Sequence, residues 1–338
     1  MILRNISLKK YNTFGLDYKA RNLISVKSEK EAISVLEKRE SLEGPLLVMG
    51  GGSNLLFIND YKGTIILPEM DEIEVVEQKK DHVVVSSGAG ANWDGLVEWT
   101  VSKGYGGLEN LSFIPGKVGA APVQNIGAYG SEVKNTIERV RAISIEDCSI
   151  REFGKEECMF GYRDSIFKRE LKRKYIITKV SFRLSARPVP ITDYGSLKEE
   201  AEKLGPLSVR TIRKAVINIR RSKLPDPEIT GNAGSFFKNP VVETSVAESI
   251  RMKYHDTPVY DDIPGYVKIG AGWLIDKCGW KGKRFGDAGV HDRQALVIVN
   301  HGNATGKEIL DLSEAIKKSV IDKFGIELQR EVEVIGSI

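Results

Sequence analysis

Two amide side chains, Gln124 and Asn125, sit inside residues 116–130 (GKVGAAPVQNIGAYG), a stretch otherwise small and nearly uncharged. An amide offers donor and acceptor together and can pair with the polar edge of a heterocycle. Small residues let the backbone approach something flat or phosphorylated, and glycine reaches positive φ without strain. A second small-residue cluster, Gly50-Gly51-Gly52-Ser53-Asn54, follows the apolar run 45–48. A strand that empties into a triple glycine leaves successive N–H groups free to form an anion-binding nest. Two such loops suggest a dinucleotide, although a turn-rich connection between strands would use the same residues. The candidate cofactor residues are Gly50, Gly51, Gly52, Ser53, Asn54, Gly116, Gly119, Gln124, Asn125, Gly127 and Ala128.

Two further segments carry reactive groups. Gly161-Tyr162-Arg163-Asp164-Ser165 puts a phenol beside a guanidinium, ahead of the basic run 168–174 (KRELKRK). By residue type alone this is equally a surface turn. Residues 231–240 (GNAGSFFKNP) place Ser235 between Gly234 and two phenylalanines, with Lys238 and Asn239 nearby. A serine in an apolar pocket is usually a satisfied cap; with no Gly-x-Ser-x-Gly elbow to make it a hydrolase nucleophile, its chemistry, if it has any, is proton transfer. Arg220 and Lys223 lie three apart on one helix face. Such a pair attracts a diphosphate, and cations also suit any helix C-terminus.

Other chemistries find little support. Gly88-Ala89-Gly90 begins like a dinucleotide fingerprint but has Trp93 in place of the third glycine. The stretch 302–307 (GNATGK) resembles a P-loop, yet it is one residue short and is followed by Glu308 where Ser or Thr belongs. A formal net charge of only +4 gives no polyanion-binding footprint, so the basic run reads as solvated surface and no nucleic-acid partner is expected. Three scattered cysteines and four dispersed histidines fit neither a disulfide framework nor a metal site. The N-terminus lacks the apolar core of a signal peptide, and no apolar run approaches the ~18 residues of a membrane span. A cytoplasmic protein is the expectation.

The elements that must position these groups follow from pattern. The spacing predicts helices over 29–38, 93–103 with Asn92 as cap, 209–222 and 307–324. Strands are expected over 45–48, 63–67, 73–77, 82–87, 139–145, 175–184 and 327–335. Pro225 and Pro227 stop the helix at 209–222 and mark a domain boundary. With 338 residues, 41% of them hydrophobic, the chain can bury a core in each of two or three domains.

In combination and in order, these motifs resemble one family. Asn12-Thr13-Phe14-Gly15, Gly50-Gly51-Gly52-Ser53-Asn54, Gly107-Leu108-Glu109-Asn110 and Ile114-Pro115-Gly116 through Gly130 come first. Gly161-Tyr162-Arg163, Lys223-Leu224-Pro225-Asp226-Pro227, residues 231–240 and Gln294-Ala295-Leu296-Val297 follow. From about residue 12 to 335 the sequence is similar to the UDP-N-acetylenolpyruvoylglucosamine reductases. Tyr194-Gly195 looks like the family's longer form, with an extra tyrosine-bearing loop over the substrate. The resemblance implies an α+β fold: a two-lobed FAD-binding region of the vanillyl-alcohol-oxidase/PCMH type plus a third, α/β substrate-binding domain. The lobes would be 1–70, with 326–338 returning to it, and 71–223, with the substrate domain over 224–325.

The same resemblance implies non-covalent FAD, NADPH as hydride donor and UDP-N-acetylglucosamine enolpyruvate as substrate, without membrane or obligate protein partner. Hydride would reach C3 of the enol ether, and the charge that develops on the adjoining carboxylate requires preorganised positive charge. It assigns that role to Arg163, the proton for C2 to Ser235 and a supporting carboxyl to Glu331. It gives the uridine diphosphate sugar to Tyr194, Lys223, Asn239 and Gln294 and sets Tyr162 beside Arg163 at the substrate, while Arg220 joins the substrate-binding set as the further cation on the Lys223 helix face. The family's acidic–proline pair ahead of the glutamate is Gln329-Arg330 here, and on a strand Glu327, Glu331 and Glu333 share one face. The register of that glutamate therefore stays open. Another FAD-dependent oxidase of the same fold is the alternative, although the tethering His or Cys common in such enzymes is absent from both glycine loops.

Overall fold

In the computed structural model, which describes residues 2–336, polar side chains open the helices close to where pattern puts them. Ser28 accepts the Glu31 N–H at the head of α1 (Glu29–Glu37), and Asn92 accepts that of Gly95 at α2 (Trp93–Ser102). Each satisfies a donor that the first helical turn leaves without a partner. The chain forms two compact units: residues up to 6, 20–51 and 62–222 in the first, and 7–19, 52–61 and 223 onward in the second. Residues 1–70 are thus divided between the two, while 71–222 lie wholly in the first.

Unit 1 holds two large sheets. One runs in the order β1 (Ile2–Ser7), β2 (Lys19–Val26), β5 (Tyr61–Pro68), β3 (Leu46–Val48), with β3 and β5 parallel. The other is antiparallel: β11 (Ile150–Gly154), β10 (Ile137–Ser144), β12 (Tyr175–Ser185), β7 (His82–Gly88), β6 (Ile73–Gln78). Trp93 of α2 is buried edge-on to Phe182 of β12, its indole N–H bonded to the Leu111 carbonyl at 2.9 Å. The fingerprint-like glycines serve backbone packing: a Cβ on Gly90 would stand 2.5 Å from Glu69 Cα. Helices α3 (Leu197–Glu202) and α4 (Val209–Lys223) bury Leu197, Ile212, Val216 and Ile219 together.

Unit 2 pairs β4 (Leu55–Phe57) in parallel with β20 (Glu333–Ile335). Its largest sheet is antiparallel, in the order β13 (Gly231–Ser235), β19 (Val297–Asn300), β18 (Ala288–Val290), β17 (Arg284–Phe285). A three-stranded sheet of β14 (Val241–Glu243), β16 (Tyr266–Ile269) and β15 (Val259–Asp261) accompanies helices α5 (Thr244–Lys253), α6 (Ala271–Lys277) and α7 (Gly306–Phe324). Phe14, Leu56, Phe236, Ile298 and Ile316 share its core, so the stretches around residues 14 and 56 fold with the C-terminal part. Strands and helices in both units make this an α+β protein.

One look-alike is explained and one expectation changes. The P-loop look-alike ends in a capping box: Thr305 accepts the Glu308 N–H, and Glu308 accepts that of Thr305 at 2.7 Å, which opens α7. The closing strand is shorter than 327–335. Residues 329–331 bond antiparallel to 236–238 before the chain switches to parallel pairing with β4, so continuous strand begins only at Glu333. Simple alternation across 327–333 therefore does not hold.

Candidate active site

Gly50 and Gly51 of the first glycine loop meet the second loop within unit 1, and Gly52 onward belongs to unit 2. A Cβ on Gly51 would come 3.2 Å from Gly116 Cα, and one on Gly50 would come 3.3 Å from Lys117 Cβ. Gly119 is equally constrained, its Cβ position lying 2.6 Å from Ala89 Cβ. Among the described residues, the N–H groups of Gly50, Gly51 and Gly52 form no hydrogen bond. Successive free amides in a glycine cradle are what a diphosphate needs, so the residues present fit FAD. Gly52 sits at φ +61°, where a Cβ would lie 2.0 Å from the Tyr11 carbonyl oxygen. Gly52→Ala is expected to lower unfolding stability by at least ~1–3 kcal/mol from backbone strain and to weaken FAD retention. Urea denaturation and flavin content check this; an unchanged midpoint would mean the loop yields freely.

The tail of the second loop carries Arg163. β8 (Gly127–Ala128) pairs with β9 (Ser131–Glu132), and the Arg163 guanidinium donates to the Gly127 carbonyl. Arg163 occupies a tight turn closed by reciprocal Gly161 and Asp164 backbone bonds, at φ +53°. Its guanidinium lies 5.4 Å from the centre of the Tyr162 ring. Phe113, Asn125 and Tyr129 also adopt positive φ. Non-glycine residues held there cost energy and tend to gather at functional sites. Asn125 is fully buried, and its amide is bonded to Gly161, Glu132 and Lys134 rather than facing outward.

α4 is tied to the segment ahead of the second loop. Arg220 Nε donates to the Phe113 carbonyl at 3.0 Å, and burial pushes its guanidinium below the ordinary value, with Tyr129, Asp94 and Arg163 all close enough to contribute. Tyr194 stands edge-on to Tyr129 at 6.0 Å, and Asn110 donates to both the Tyr129 and Ile191 carbonyls, binding the tyrosine-bearing segment to the loop. Asp94 accepts both Arg213 Nη groups and the Phe113 N–H. Burial raises the Asp94 carboxyl, but those donors outweigh it and hold it below its ordinary 3.8. A depressed carboxyl contributes stability that is present above its unfolded pKa and lost as pH falls through the folded one. Acidification below about pH 4 should therefore destabilise the wild type more than Arg213→Met, as measured by denaturant midpoints across pH. Equal pH slopes would remove the ion pair as the cause.

In unit 2, β13 ends on Ser235, opposite Val297, after a register shift that Gly234 accommodates at φ +68°. Such a bulge re-aims the side chain that follows it. The Glu331 N–H donates to the Phe236 carbonyl at 2.8 Å, which sets the Glu331 backbone against the residue that follows Ser235. Asn54 reinforces this by donating to the Glu331 carbonyl at 3.1 Å. Glu327 instead pairs with Lys317 at 3.7 Å, and Glu333 opens β20 opposite Leu55. Asn239 accepts the Ala271 N–H at the head of α6, and Gln294 Oε1 packs against Gly272 one residue later, so both amides share that helix turn. Lys223, the last residue of α4, is exposed.

Spacing alone did not reveal Asn110, the Asp94–Arg213 pair or the Asn54–Glu331 bond. Arg213 had a visible signal: it is a cation among Val209, Ile212, Val216 and Ile219, where an apolar helix face would exclude one. Among the described residues, no group of three His, Cys, Asp or Glu could hold a metal ion. No described helix is long and apolar enough to cross a membrane.

Comparison with known proteins places this geometry. A family model described as an FAD binding domain matches residues 20–154, and one described as the UDP-N-acetylenolpyruvoylglucosamine reductase C-terminal domain matches 226–335. The UDP-N-acetylenolpyruvoylglucosamine reductase of Flavobacterium johnsoniae is 47% identical over 99% of each chain, and that of Pseudomonas aeruginosa is 46% identical over 96% of each. The crystal structure of UDP-N-acetylenolpyruvylglucosamine reductase from Thermus caldophilus superposes with a TM-score of 0.71 at 27% identity, covering 99% of both chains. With two relatives above 40% identity along nearly their whole length, the chain belongs to the UDP-N-acetylenolpyruvoylglucosamine reductase family.

Proposed function

We propose that this chain carries out the NADPH-dependent, FAD-mediated reduction of UDP-N-acetylglucosamine enolpyruvate to UDP-N-acetylmuramate, a step of peptidoglycan precursor synthesis in the cytoplasm. Bound FAD would supply the hydride-transfer chemistry that links NADPH oxidation to reduction of the enolpyruvyl double bond. The amides of Gly50–Gly52 and the 116–128 loop would hold the cofactor's diphosphate without needing a charged side chain. Arg163 steadies the substrate carboxylate as electron density moves onto it, which is where fixed positive charge lowers a barrier most. Protonated Glu331 adds a hydrogen bond to the same carboxylate, and Ser235 delivers the proton to C2. Arg220 and Lys223 supply charge for the uridine diphosphate, and Tyr162, Tyr194, Asn239 and Gln294 contact the UDP-sugar.

The observation that carries the catalytic assignment is the Phe236–Glu331 backbone bond, which joins the residue after the proposed proton donor to one of three candidate glutamates. An anaerobic absorbance experiment tests the whole reading. NADPH should bleach the flavin, and the enolpyruvyl sugar should restore it. Bleaching without restoration would move the substrate elsewhere, and a protein that takes up no FAD would overturn the reading.

A further inference from the structure

We propose that Asn125 is a positioning residue for Arg163 and spends its side chain on the Arg163 turn rather than on the flavin. The inference rests on the reading above, in which Arg163 stabilises the substrate carboxylate. Three alternate residues of the glycine loop are stitched to three residues of the turn. Ser165 Oγ donates to the Val123 carbonyl at 2.6 Å, Asn125 Nδ2 donates to that of Gly161 at 2.8 Å, and the Arg163 guanidinium donates to that of Gly127. Asn125 is the centre of this seam. Its second amide hydrogen goes to Glu132 Oε2 at 3.1 Å, and its oxygen accepts the Lys134 N–H at 3.1 Å.

Both donors are therefore used, in a side chain with no solvent exposure, at φ +44°. Asparagine is among the residues that tolerate that conformation. Gly127 completes the fit, since a Cβ there would stand 2.7 Å from an Arg163 nitrogen. Arg163 is itself held at positive φ, a strain that persists only where the surroundings over-determine it. Without the Asn125 donors, the Gly161 end of the turn loses its anchor and the guanidinium loses its aim. A misplacement of about 1 Å is enough to cost up to about a hundredfold in rate.

Asn125→Asp keeps the acceptor for Lys134 but turns a carboxylate oxygen toward the Gly161 carbonyl and Glu132. The variant should retain FAD and be reduced by NADPH within about twofold of wild type, while reoxidation by the enolpyruvyl substrate slows about 10- to 100-fold. In an Arg163→Ala background the same change should alter reoxidation by less than about twofold, because the two residues act as one unit. Equal slowing of both half-reactions, a lost or spectrally altered flavin, or effects that multiply independently would overturn the proposal. If Asn125→Asp does not fold, Glu132→Ala removes one acceptor from the rim. It should give the same selective slowing in smaller measure, which Glu132→Gln restores; no selectivity there would equally end the idea. A wild-type enzyme that the substrate fails to reoxidise would instead defeat the functional reading itself.

Discussion

Replacing Ser235 with alanine is expected to leave FAD binding and reduction by NADPH intact while substrate-driven reoxidation falls by about 10²- to 10⁴-fold, the range that a positioned proton donor supplies. The position makes this a clean substitution. Ser235 pairs with Val297 through backbone groups, and the φ of +68° belongs to Gly234, so alanine can take the same place in the bulge. The Phe236 N–H to Leu296 bond at 2.8 Å and the Glu331 N–H to Phe236 bond use no serine atom either. What disappears is the hydroxyl alone. A free hydroxyl is a feeble acid, so Ser235 must be polarised by neighbours or relay the proton through water. Ser235→Cys, with a more acidic group, should recover part of the rate. Rapid-mixing absorbance separates the half-reactions; equal loss in both would remove Ser235 from proton transfer.

What the sequence made legible were features written in local rules. Asn92 capping α2, the apolar runs behind β3 and β5, and the helix ended by Pro225 each follow from one residue's conformational preference. The capping box at Thr305-x-x-Glu308 was equally local; Glu308 is a foreign residue to a P-loop and the expected one for a helix start. The glycine loops were legible as loops. That Gly51 approaches Gly116 was not, since the contact joins segments some sixty residues apart.

The harder cases share a cause. Glu331 could not be told from Glu327 or Glu333 by alternation, because residues 329–331 pair with 236–238 and only the next stretch pairs with β4. Period-two reasoning assumes one partner throughout. Asn125 was read as facing a heterocycle because an amide in a small-residue loop has spare donors. The fold had already committed them to Gly161 and Glu132.

Arg163→Ala should show the second large effect: reoxidation by the enolpyruvyl substrate slowed about 10²- to 10³-fold, the scale for removing one preorganised charge or donor at a developing anion. Because Arg163 also donates to the Gly127 carbonyl, alanine removes a structural bond together with the charge. Lysine separates the two. Arg163→Lys keeps the charge but not the planar fork that can serve Gly127 and a carboxylate at once. If the charge alone mattered, Arg163→Lys would approach the wild-type rate. If orientation by the seam matters, the lysine enzyme should stay nearer to alanine, with a raised KM for the enolpyruvyl sugar and a normal rate of reduction by NADPH. Unchanged reoxidation in Arg163→Ala would place the carboxylate's partner elsewhere, and Arg220, desolvated and electrostatically coupled to Arg163, is the residue to substitute next.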